Sequence, residues 1–211
     1  MKLVISGFDP FGGLVCNSSQ TLVEGLALLS QSRAATGWAA TLDLHTLVLP
    51  TVYGRSVEKL QAAVARQTPE LVVMLGVAPS IRELRLETQA INQISTSLPD
   101  NDGYRAPVPW IDHKGPATLS SDLDLPALQT QLKDLGVDVG LSSNCGDYVC
   151  NHLYYEMLRF SQRCSPACRA LFVHVPDLHG TGDELSAARE MPQRLNDLAM
   201  LIQCLTSAAP V

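Results

Sequence analysis

Residues 71–76 have the sequence Leu-Val-Val-Met-Leu-Gly, five apolar residues followed by a glycine. A short, continuous apolar run that stops at a turn residue is typical of a strand buried on both faces. Leu3–Ser6 is a second such run and ends at Gly7. Strands of this kind occur in parallel sheets, because helices then cover both faces of the sheet.

Strands and helices alternate on either side of this stretch. Besides Leu3–Ser6 and Leu71–Leu75, the apolar pattern predicts strands over Thr41–Leu49, Val137–Ser142 and Ala170–Val175. One helix should begin at Ser18 or Ser19 and end near Leu29, and further helices are predicted over Val52–Val64, Leu125–Leu135, Tyr148–Ser161 and, in one or two pieces, Asp183–Ser207. This order predicts an α/β fold with a mainly parallel sheet between helices. The 211 residues are expected to form a single domain, 1–211.

Charge and composition argue against several function classes. The net charge is -6, so the basic footprint of a nucleic-acid-binding protein is absent. The apolar stretch at the N-terminus is too short for a secretion signal, and no segment has the roughly 18 apolar residues of a membrane span. We therefore expect a cytoplasmic protein whose six cysteines are reduced. Their spacings match no Cys-x-x-Cys zinc pattern, so no metal site is predicted.

In open sheets of this kind, sites form beyond the carboxyl ends of the strands. Four segments follow predicted strands and should carry the chemistry: Gly7–Asn17, Gly76–Ser80, Ser142–Cys150 and His174–Pro176. Residues 99–119 contain four prolines and predict a long ordered loop, a type of segment that is often functional.

The segment 142–151, Ser-Ser-Asn-Cys-Gly-Asp-Tyr-Val-Cys-Asn, leads from a strand through a glycine turn into a helix. If Asp147 caps this helix, Cys150 lies in its first turn, where the helix dipole and free N–H groups favour an anion. A thiolate there would be a competent nucleophile. Two alternatives stay open: Cys150 is a small buried residue, or Cys145, in the turn before the helix, is the nucleophile.

His174 closes the apolar run 170–174 and is the candidate general base, since a Cys–His pair needs only proximity in space. A buried core histidine is the alternative. Glu87 lies on the polar side of the alternating extended segment Glu83–Asn92. A carboxylate behind a histidine holds its tautomer and stabilises the imidazolium. Spacing does not distinguish Glu87 from Glu83, and a solvated strand charge is the alternative.

The loop 7–13, Gly-Phe-Asp-Pro-Phe-Gly-Gly, is rich in glycine but matches neither a phosphate loop nor a dinucleotide motif. Phe8 and Phe11 suggest an apolar clamp for a small flat ligand. The alternative is a loop anchored by two buried aromatic side chains.

Together these segments resemble the pyroglutamyl peptidase I family, also called pyrrolidone carboxylate peptidases. The similar motifs are residues 7–13 with Asn17, 87–92 (Glu-Thr-Gln-Ala-Ile-Asn), 98–103 (Leu-Pro-Asp-Asn-Asp-Gly), 146–152 (Gly-Asp-Tyr-Val-Cys-Asn-His) and 172–176 (Phe-Val-His-Val-Pro). They occur in order at matching spacing and cover most of the chain, which makes the signal specific.

The resemblance implies a three-layer α/β/α sandwich, assembled as a homo-oligomer (dimer or tetramer), without metal or organic cofactor. It implies a cytoplasmic cysteine peptidase that removes N-terminal pyroglutamate from peptides. Cys150 would be the nucleophile, His174 the general base and Glu87 the carboxylate that orients the histidine. The substrate-binding residues would be Phe8, Phe11, Asn17, Val77, Tyr148 and Val149.

The sequence departs from the family pattern around this triad. Val77 stands where the family has a glutamine, Ile81 ends a segment that replaces Gly-Gly-Arg, Ser97 replaces an arginine, and Cys145 replaces an alanine. These changes leave two alternatives open. One is a thiol hydrolase of the same fold with a shifted substrate, and the other is a catalytically weak homologue that acts as a binding protein.

Overall fold

The computed structural model describes residues 1–31, 42–164, 168–179 and 184–207. A six-stranded sheet forms the centre, with the strand order β2-β1-β3-β8-β4-β7. Its strands are β1 (Lys2–Phe8), β2 (Asp43–Leu49), β3 (Leu71–Val77), β4 (Leu84–Glu87), β7 (Val139–Ser142) and β8 (Arg169–Val175). The short strands β5 (Gln89–Ile91) and β6 (Thr118–Ser120) form a separate antiparallel pair.

Helices cover both faces of the sheet. They are α1 (Ser18–Gln31), α2 (Arg55–Gln67), α3 (Leu125–Asp134), α4 (Val149–Ser161) and α5 (Glu184–Ser207). Successive strand side chains point to opposite faces, so Leu71 and Val73 pack with α1, α3 and α5, whereas Val72 and Met74 pack with α2 and α4. The predicted three-layer α/β/α sandwich with a mainly parallel sheet is confirmed. Within the described residues, no helix is long and apolar enough to cross a bilayer.

Two strands, β4 and β7, run antiparallel to the other four, which changes the expected position of the segment that follows β7. β4 pairs antiparallel with β8 and parallel with β7. The end of β7 at Ser142 therefore does not lie at the sheet edge where β8 ends. Glu87 is in register with both Ser142 and Phe172, so β4 and β7 end beside the middle of β8.

The extended segment predicted over Glu83–Asn92 is two strands in two different sheets. They are separated at Thr88, whose N–H donates to the carbonyl of Ser142 at 2.7 Å. β5 then pairs with β6, whose first two residues belong to the segment predicted to be a loop, so that prediction is wrong at Thr118 and Leu119. Three residues are too few for an alternating pattern to appear in the sequence, and only pairing with β5 defines the strand.

Several element boundaries also differ from prediction. The helix predicted from Val52 begins at Arg55, because Gly54 adopts a positive φ of 70° that ends the preceding turn. The last helix continues in one piece through Pro192. The predicted first residues of the second strand and of the last helix, Thr41 and Asp183, lie outside the described residues.

Candidate active site

His174 and Glu87 form a buried pair across the antiparallel strands β8 and β4. Nδ1 of His174 lies 2.7 Å from Oε1 of Glu87, and the Glu87 side chain is only 1% exposed. Because an ionised carboxylate can only accept, the imidazole Nδ1–H is the donor. Glu83, which the sequence pattern could not separate from Glu87, instead accepts a hydrogen bond from Arg85 at 2.7 Å.

The surroundings of His174 favour its protonated form. Burial by itself would lower the pKa of this imidazole, because it disfavours the charged state. Hydrogen bonds and negative charge from Cys150 and Glu87 outweigh burial and raise the pKa from 6.5 to about 9. The ring also packs against Phe172, with centroids 5.0 Å apart. The imidazole is therefore held in place by a carboxylate on one side and an aromatic ring on another.

Cys150 is the second residue of α4, and its thiol faces His174 closely enough to act as a hydrogen-bond partner. Gly76, opposite His174 on the neighbouring strand β3, makes room for this thiol. A β-carbon on Gly76 would lie 2.8 Å from Sγ of Cys150, which is too close for a real contact. Sequence reasoning treated Gly76 only as a strand terminator, and nothing in the sequence alone indicated this second role.

The start of α4 differs in detail from the prediction. Tyr148, in an extended conformation, precedes the first helical residue and makes no side-chain capping bond. The prediction that Asp147 caps the helix is therefore wrong, because the extra extended residue moves its side chain out of capping position. Among the described residues, none accepts a hydrogen bond from the N–H groups of Val149 and Cys150, as expected in a first helical turn.

Helix α4 also fixes the strand that carries Glu87. The Tyr154 hydroxyl donates to the carbonyl of Glu87 at 2.9 Å. The fully buried Asn151 side chain accepts from the N–H of Ile91 and donates to the carbonyls of Ile91 and Gln93. One helix thus positions both the cysteine and the carboxylate, so their relative placement does not depend on a flexible loop.

A cavity of about 750 Å³ opens beside these side chains. Cys150, His174 and Glu87 lie in its wall, together with the predicted residues Phe8, Phe11, Asn17, Val77 and Tyr148. Its apolar side includes Phe11 and Tyr148, whose ring centroids are 6.1 Å apart. Val149 is the exception among the predicted residues, since its side chain is fully buried in the core between α4 and the sheet.

Asn17 holds the loop in front of the cavity. Its Oδ1 accepts from the N–H of Ser19 at 2.9 Å, and its Nδ2 donates to the carbonyl of Asp9 at 2.9 Å. Asn17 therefore caps α1, a role that the sequence pattern assigned to Ser18 or Ser19, because the asparagine side chain reaches the free N–H groups from one residue earlier.

The opposite rim of the cavity is the turn 98–104. The buried carboxylate of Asp100 accepts hydrogen bonds from the N–H groups of Tyr53, Asp102 and Tyr104, at 2.9 to 3.0 Å. Asn101 donates to the carbonyl of Pro10 at 2.8 Å, which joins this rim to the loop that carries Phe11. The Asp-Asn-Asp-Gly sequence is a turn signal, and that was the available clue to this structural role.

Arg85 is a cation in the cavity wall that the sequence analysis did not include among the site residues. It lies directly opposite His174 in the β4–β8 register and donates to Glu83. Ser97, one of the positions where the sequence was expected to depart from the family pattern, is exposed and is not among the residues that line the cavity. Ile81 is buried outside this cavity. Among the described residues, Arg85 is the one arginine or lysine side chain in the wall of this cavity.

Cys145 lies beneath the site and is 3% exposed. One ligand atom each from Glu87, Cys145 and His174 lie within 4.8 Å of one another. Burial, with further contributions from the charges of Cys150 and Glu87, raises the pKa of the Cys145 thiol well above its usual range. Burial therefore disfavours the thiolate form of Cys145.

Comparisons with known proteins agree with these features. A family model described as pyroglutamyl peptidase matches residues 1–192. The pyrrolidone-carboxylate peptidase of Brevibacillus brevis is 31% identical over 179 residues, which cover 83% of this chain and 78% of that protein. The corresponding protein of Bacillus velezensis is 30% identical over 211 residues, which cover 99% and 93%.

Two solved structures have the same fold. The pyroglutamyl peptidase I of Bacillus amyloliquefaciens superposes with a TM-score of 0.83 at 26% identity, covering 98% of this chain and 95% of that one. The pyrrolidone carboxyl peptidase of Fervidobacterium islandicum gives a TM-score of 0.85 at 28% identity, covering 98% of each chain.

Proposed function

The chain belongs to the pyroglutamyl peptidase family, and from this premise we propose that it removes N-terminal pyroglutamate from peptides as a cysteine peptidase. Cys150 is the nucleophile, His174 the general base and Glu87 the carboxylate that orients the histidine. The observation that carries the proposal is the continuous Cys150–His174–Glu87 arrangement in the wall of a cavity with apolar sides. The family resemblance of the sequence motifs is confirmed.

The first chemical step is attack of the Cys150 thiolate on the carbonyl carbon that joins pyroglutamate to the next residue. The protonated His174 is the counter-ion of the thiolate, and Glu87 stabilises the imidazolium. Negative charge develops on the carbonyl oxygen in the transition state. The free N–H groups of Val149 and Cys150 at the start of α4 are suited to stabilise it.

Breakdown of this intermediate needs a proton on the departing amine. His174 donates it, and the peptide without its first residue leaves while pyroglutamate stays bound to Cys150 as a thioester. A water molecule then attacks the thioester, with His174 now accepting the proton. Pyroglutamate is released and the thiolate–imidazolium pair is restored.

Substrate binding follows from the cavity walls. The flat pyrrolidone ring fits between the aromatic side chains of Phe8, Phe11 and Tyr148, with Val77 as a further apolar contact. Asn17 contributes by fixing the loop that carries Phe11. Val149 contributes through its backbone N–H, since its side chain is buried in the core.

The test is release of a fluorescent amine from a pyroglutamyl conjugate, with and without a thiol alkylator. Cys150→Ala should lower kcat by roughly 10⁴–10⁶-fold, the scale seen when a nucleophile is removed from a catalytic triad. Cys145→Ala is the matched variant and should remain active. Loss of activity in Cys145→Ala with retention in Cys150→Ala would reverse the assignment of the nucleophile.

A second candidate function is a thiol hydrolase with the same triad and a shifted substrate. Val77 and Arg85 favour it, because an apolar side chain and a cation change the polarity of the cavity wall. The two candidate functions differ in the group that the cavity accepts at the N-terminus of the substrate. The chemistry of Cys150 is the same in both.

We also propose that the chain forms one domain and assembles as a homo-oligomer, a dimer or tetramer, in the cytoplasm. Large apolar side chains exposed on the segment 98–110 support assembly: Leu98, Tyr104, Val108 and Trp110. All six cysteines are free thiols, which fits a reducing compartment. Light scattering after gel filtration tests assembly, and Trp110→Asp should shift the mass towards the monomer. A monomeric wild type would contradict it.

A further inference from the structure

The cavity wall differs in character on the two sides of His174. In the order β1-β3-β8-β4 of the central sheet, the wall receives Phe8 from β1, Val77 from β3, His174 from β8 and Arg85 from β4. Neighbouring strands lie about 4.8 Å apart, so each of these side chains occupies its own position across the wall. His174 therefore lies between an apolar side of the cavity and a side that carries a cation.

The guanidinium of Arg85 is held in place and still has donors to spare. Its Nη2 donates to Oε1 of Glu83 at 2.7 Å, and the Arg85 side chain is 35% exposed. Within the part of the chain that the structure describes, this is the single hydrogen bond of the guanidinium. Because an arginine side chain carries five N–H donors, the others are available to an acceptor that enters the cavity.

The proposed reaction determines which part of the substrate meets Arg85. His174 protonates the departing amine, so the amine nitrogen has to lie beside the imidazole. The pyrrolidone ring occupies the aromatic side of the cavity, and the first residue of the departing peptide therefore extends away from it, towards β4. Arg85 is directly opposite His174 in the antiparallel register. Side chains in such positions have β-carbons about 4.5–5.5 Å apart, which brings Arg85 within reach of that residue.

We propose that Arg85 binds a carboxylate on the residue that follows pyroglutamate, and that the enzyme therefore prefers substrates with a negative charge at this second position. The carboxylate belongs to an acidic side chain or, in a dipeptide, to the C-terminus. The planar fork of a guanidinium matches a carboxylate and forms charge-assisted hydrogen bonds with it. The inference deepens the proposed function and rests on it for the direction in which the peptide leaves.

The other charges of the site leave room for this carboxylate. Glu87 and Cys150 both face the imidazole of His174, whose positive charge offsets theirs. The hydrogen bond from Arg85 lowers the pKa of Glu83, so that this side chain is a carboxylate. Glu83 does not line the cavity, and the substrate meets the guanidinium rather than its partner. Since two carboxylates then share one half-exposed guanidinium, we expect a moderate preference.

The experiment compares three peptides as substrates of the full chain. Pyroglutamyl-glutamate amide and pyroglutamyl-glutamine amide differ in side-chain charge, and pyroglutamyl-glutamine with a free C-terminus carries its carboxylate on the main chain. The released product is measured by liquid chromatography. We expect kcat/KM to be at least about fivefold higher for one or both carboxylate peptides than for the glutamine amide, the scale of a partly exposed ion pair. The peptide that is preferred identifies the source of the carboxylate.

Variants of Arg85 test whether this residue causes the preference. Arg85→Ala should bring the ratio of kcat/KM values to about one, and Arg85→Lys should keep part of the preference because it keeps the charge. Arg82→Ala is the matched control, since Arg82 is exposed and does not line the cavity, and it should keep the wild-type ratio. An effect of Arg85 on the reacting carbonyl is common to all three peptides and cancels in the ratio. Circular dichroism confirms that the variants are folded.

Binding without cleavage tests the same preference independently of catalysis. Calorimetry with Cys150→Ala should show at least about fivefold tighter binding of the preferred carboxylate peptide than of the glutamine amide, and adding Arg85→Ala should abolish the difference. Equal kcat/KM values and equal affinities for the three peptides, or a preference that persists in Arg85→Ala, would overturn the inference while cleavage of the glutamine amide upholds the proposed function. If no peptide is cleaved but the carboxylate peptides bind through Arg85, the proposed function fails and the carboxylate site stands.

Discussion

A β-carbon on Gly76 would lie 2.8 Å from Sγ of Cys150 and 2.7 Å from the ring of Phe172. Gly76 is in register with His174 on the next strand, so the thiol occupies the space that a side chain on β3 would otherwise fill. The Cys150 thiol is thus held between a glycine on one strand and the imidazole on the neighbouring strand.

Gly76→Ala should therefore impair both catalysis and folding. The added methyl group has to displace the Cys150 thiol or the buried Phe172 ring that packs against His174. We expect kcat to fall at least tenfold, about 1.4 kcal/mol, with a loss of stability of about 1–3 kcal/mol from overpacking. Steady-state kinetics and urea unfolding measure both.

Gly140→Ala is the matched control, because it also adds a methyl group to a strand glycine. A β-carbon at Gly140 would meet only the Glu83 side chain at ordinary contact distances of 3.5 Å or more. This variant should keep wild-type kcat. Equal kinetic losses in the two variants would mean that the space at Gly76 has no specific role in placing the Cys150 thiol.

Glu87→Gln should lower kcat by roughly 10²–10⁴-fold. The carboxylate fixes the imidazole with Nδ1–H directed towards it, and an amide can stabilise the other tautomer instead. Glu83→Gln serves as the control, since Glu83 is paired with Arg85 and has no contact with His174. Its activity should stay within about threefold of wild type. If Glu83→Gln were the more harmful of the two, the orienting role would belong to Glu83.

Arg85→Ala should lower kcat/KM about tenfold, which corresponds to about 1.4 kcal/mol of transition-state stabilisation. Arg85 is a cavity-wall cation opposite His174, whereas Ser97, where the family resemblance predicted an arginine to be replaced, is not among the residues that line the cavity. A positive charge near the reacting carbonyl stabilises developing negative charge. Arg82→Ala is the control, because Arg82 does not line this cavity. Full activity in Arg85→Ala would show that no cation is needed there, and Ser97→Arg should then also be neutral.

The sequence predicted the strands of the central sheet better than the arrangement of its site. Apolar runs located β1, β3 and β8, because burial on both faces leaves a continuous signal. The direction of β4 left no such signal, since its four residues alternate in the same way whether the strand pairs parallel or antiparallel with β8. The Glu87–His174 contact depends on that direction and on pairing between segments 87 residues apart. It was therefore expected only from the family motifs.

The choice between Cys145 and Cys150 shows the same limit. Both cysteines lie in the segment that leads from β7 into α4. Residue types alone do not indicate which of the two is the candidate nucleophile. The extended conformation of Tyr148 places Cys150 in the first turn of α4 and leaves Cys145 buried below it. The role of Gly76 was equally invisible, because it depends on a contact between β3 and a helix far along the chain.

His152 should make stability depend on pH in a defined window. Burial lowers the pKa of His152 from 6.5 to about 4, and its ring packs edge-on against Tyr53 at 5.3 Å. Below pH 6.5 the unfolded chain binds a proton that the folded chain does not, so stability falls as the pH falls towards 4. Between about pH 7.5 and about pH 5 this one residue should remove about 2 kcal/mol of unfolding free energy.

The measurement compares urea unfolding of wild type and His152→Phe at those two pH values. His174 acts in the opposite sense, because its raised pKa stabilises the fold below pH 6.5 and this stabilisation is lost as pH rises through about 9. Its contribution is the same in both proteins and cancels in the difference. His113→Phe, at an exposed position, is the control. An identical pH dependence in wild type and His152→Phe would contradict the prediction.

The cavity should accept a neutral N-terminal ring and reject a charged one. A pyroglutamyl ring is an uncharged lactam, whereas an N-terminal proline of similar shape carries an ammonium group. Of the two buried carboxylates in the cavity wall, Asp100 accepts three backbone N–H groups, and Glu87 already faces the positively charged imidazole of His174 through Oε1. An ammonium group beside Phe8 and Phe11 would therefore be buried without a partner, which is costly.

We expect the pyroglutamyl conjugate to be cleaved at least about 100-fold faster than the prolyl conjugate of the same amine, a difference of about 2.7 kcal/mol. Comparison of kcat/KM for the two conjugates measures this directly, and the acetyl-prolyl conjugate, which is neutral but bulkier, controls for charge alone. Faster cleavage of the prolyl conjugate would exclude pyroglutamate as the preferred group and favour the hydrolase with a shifted substrate.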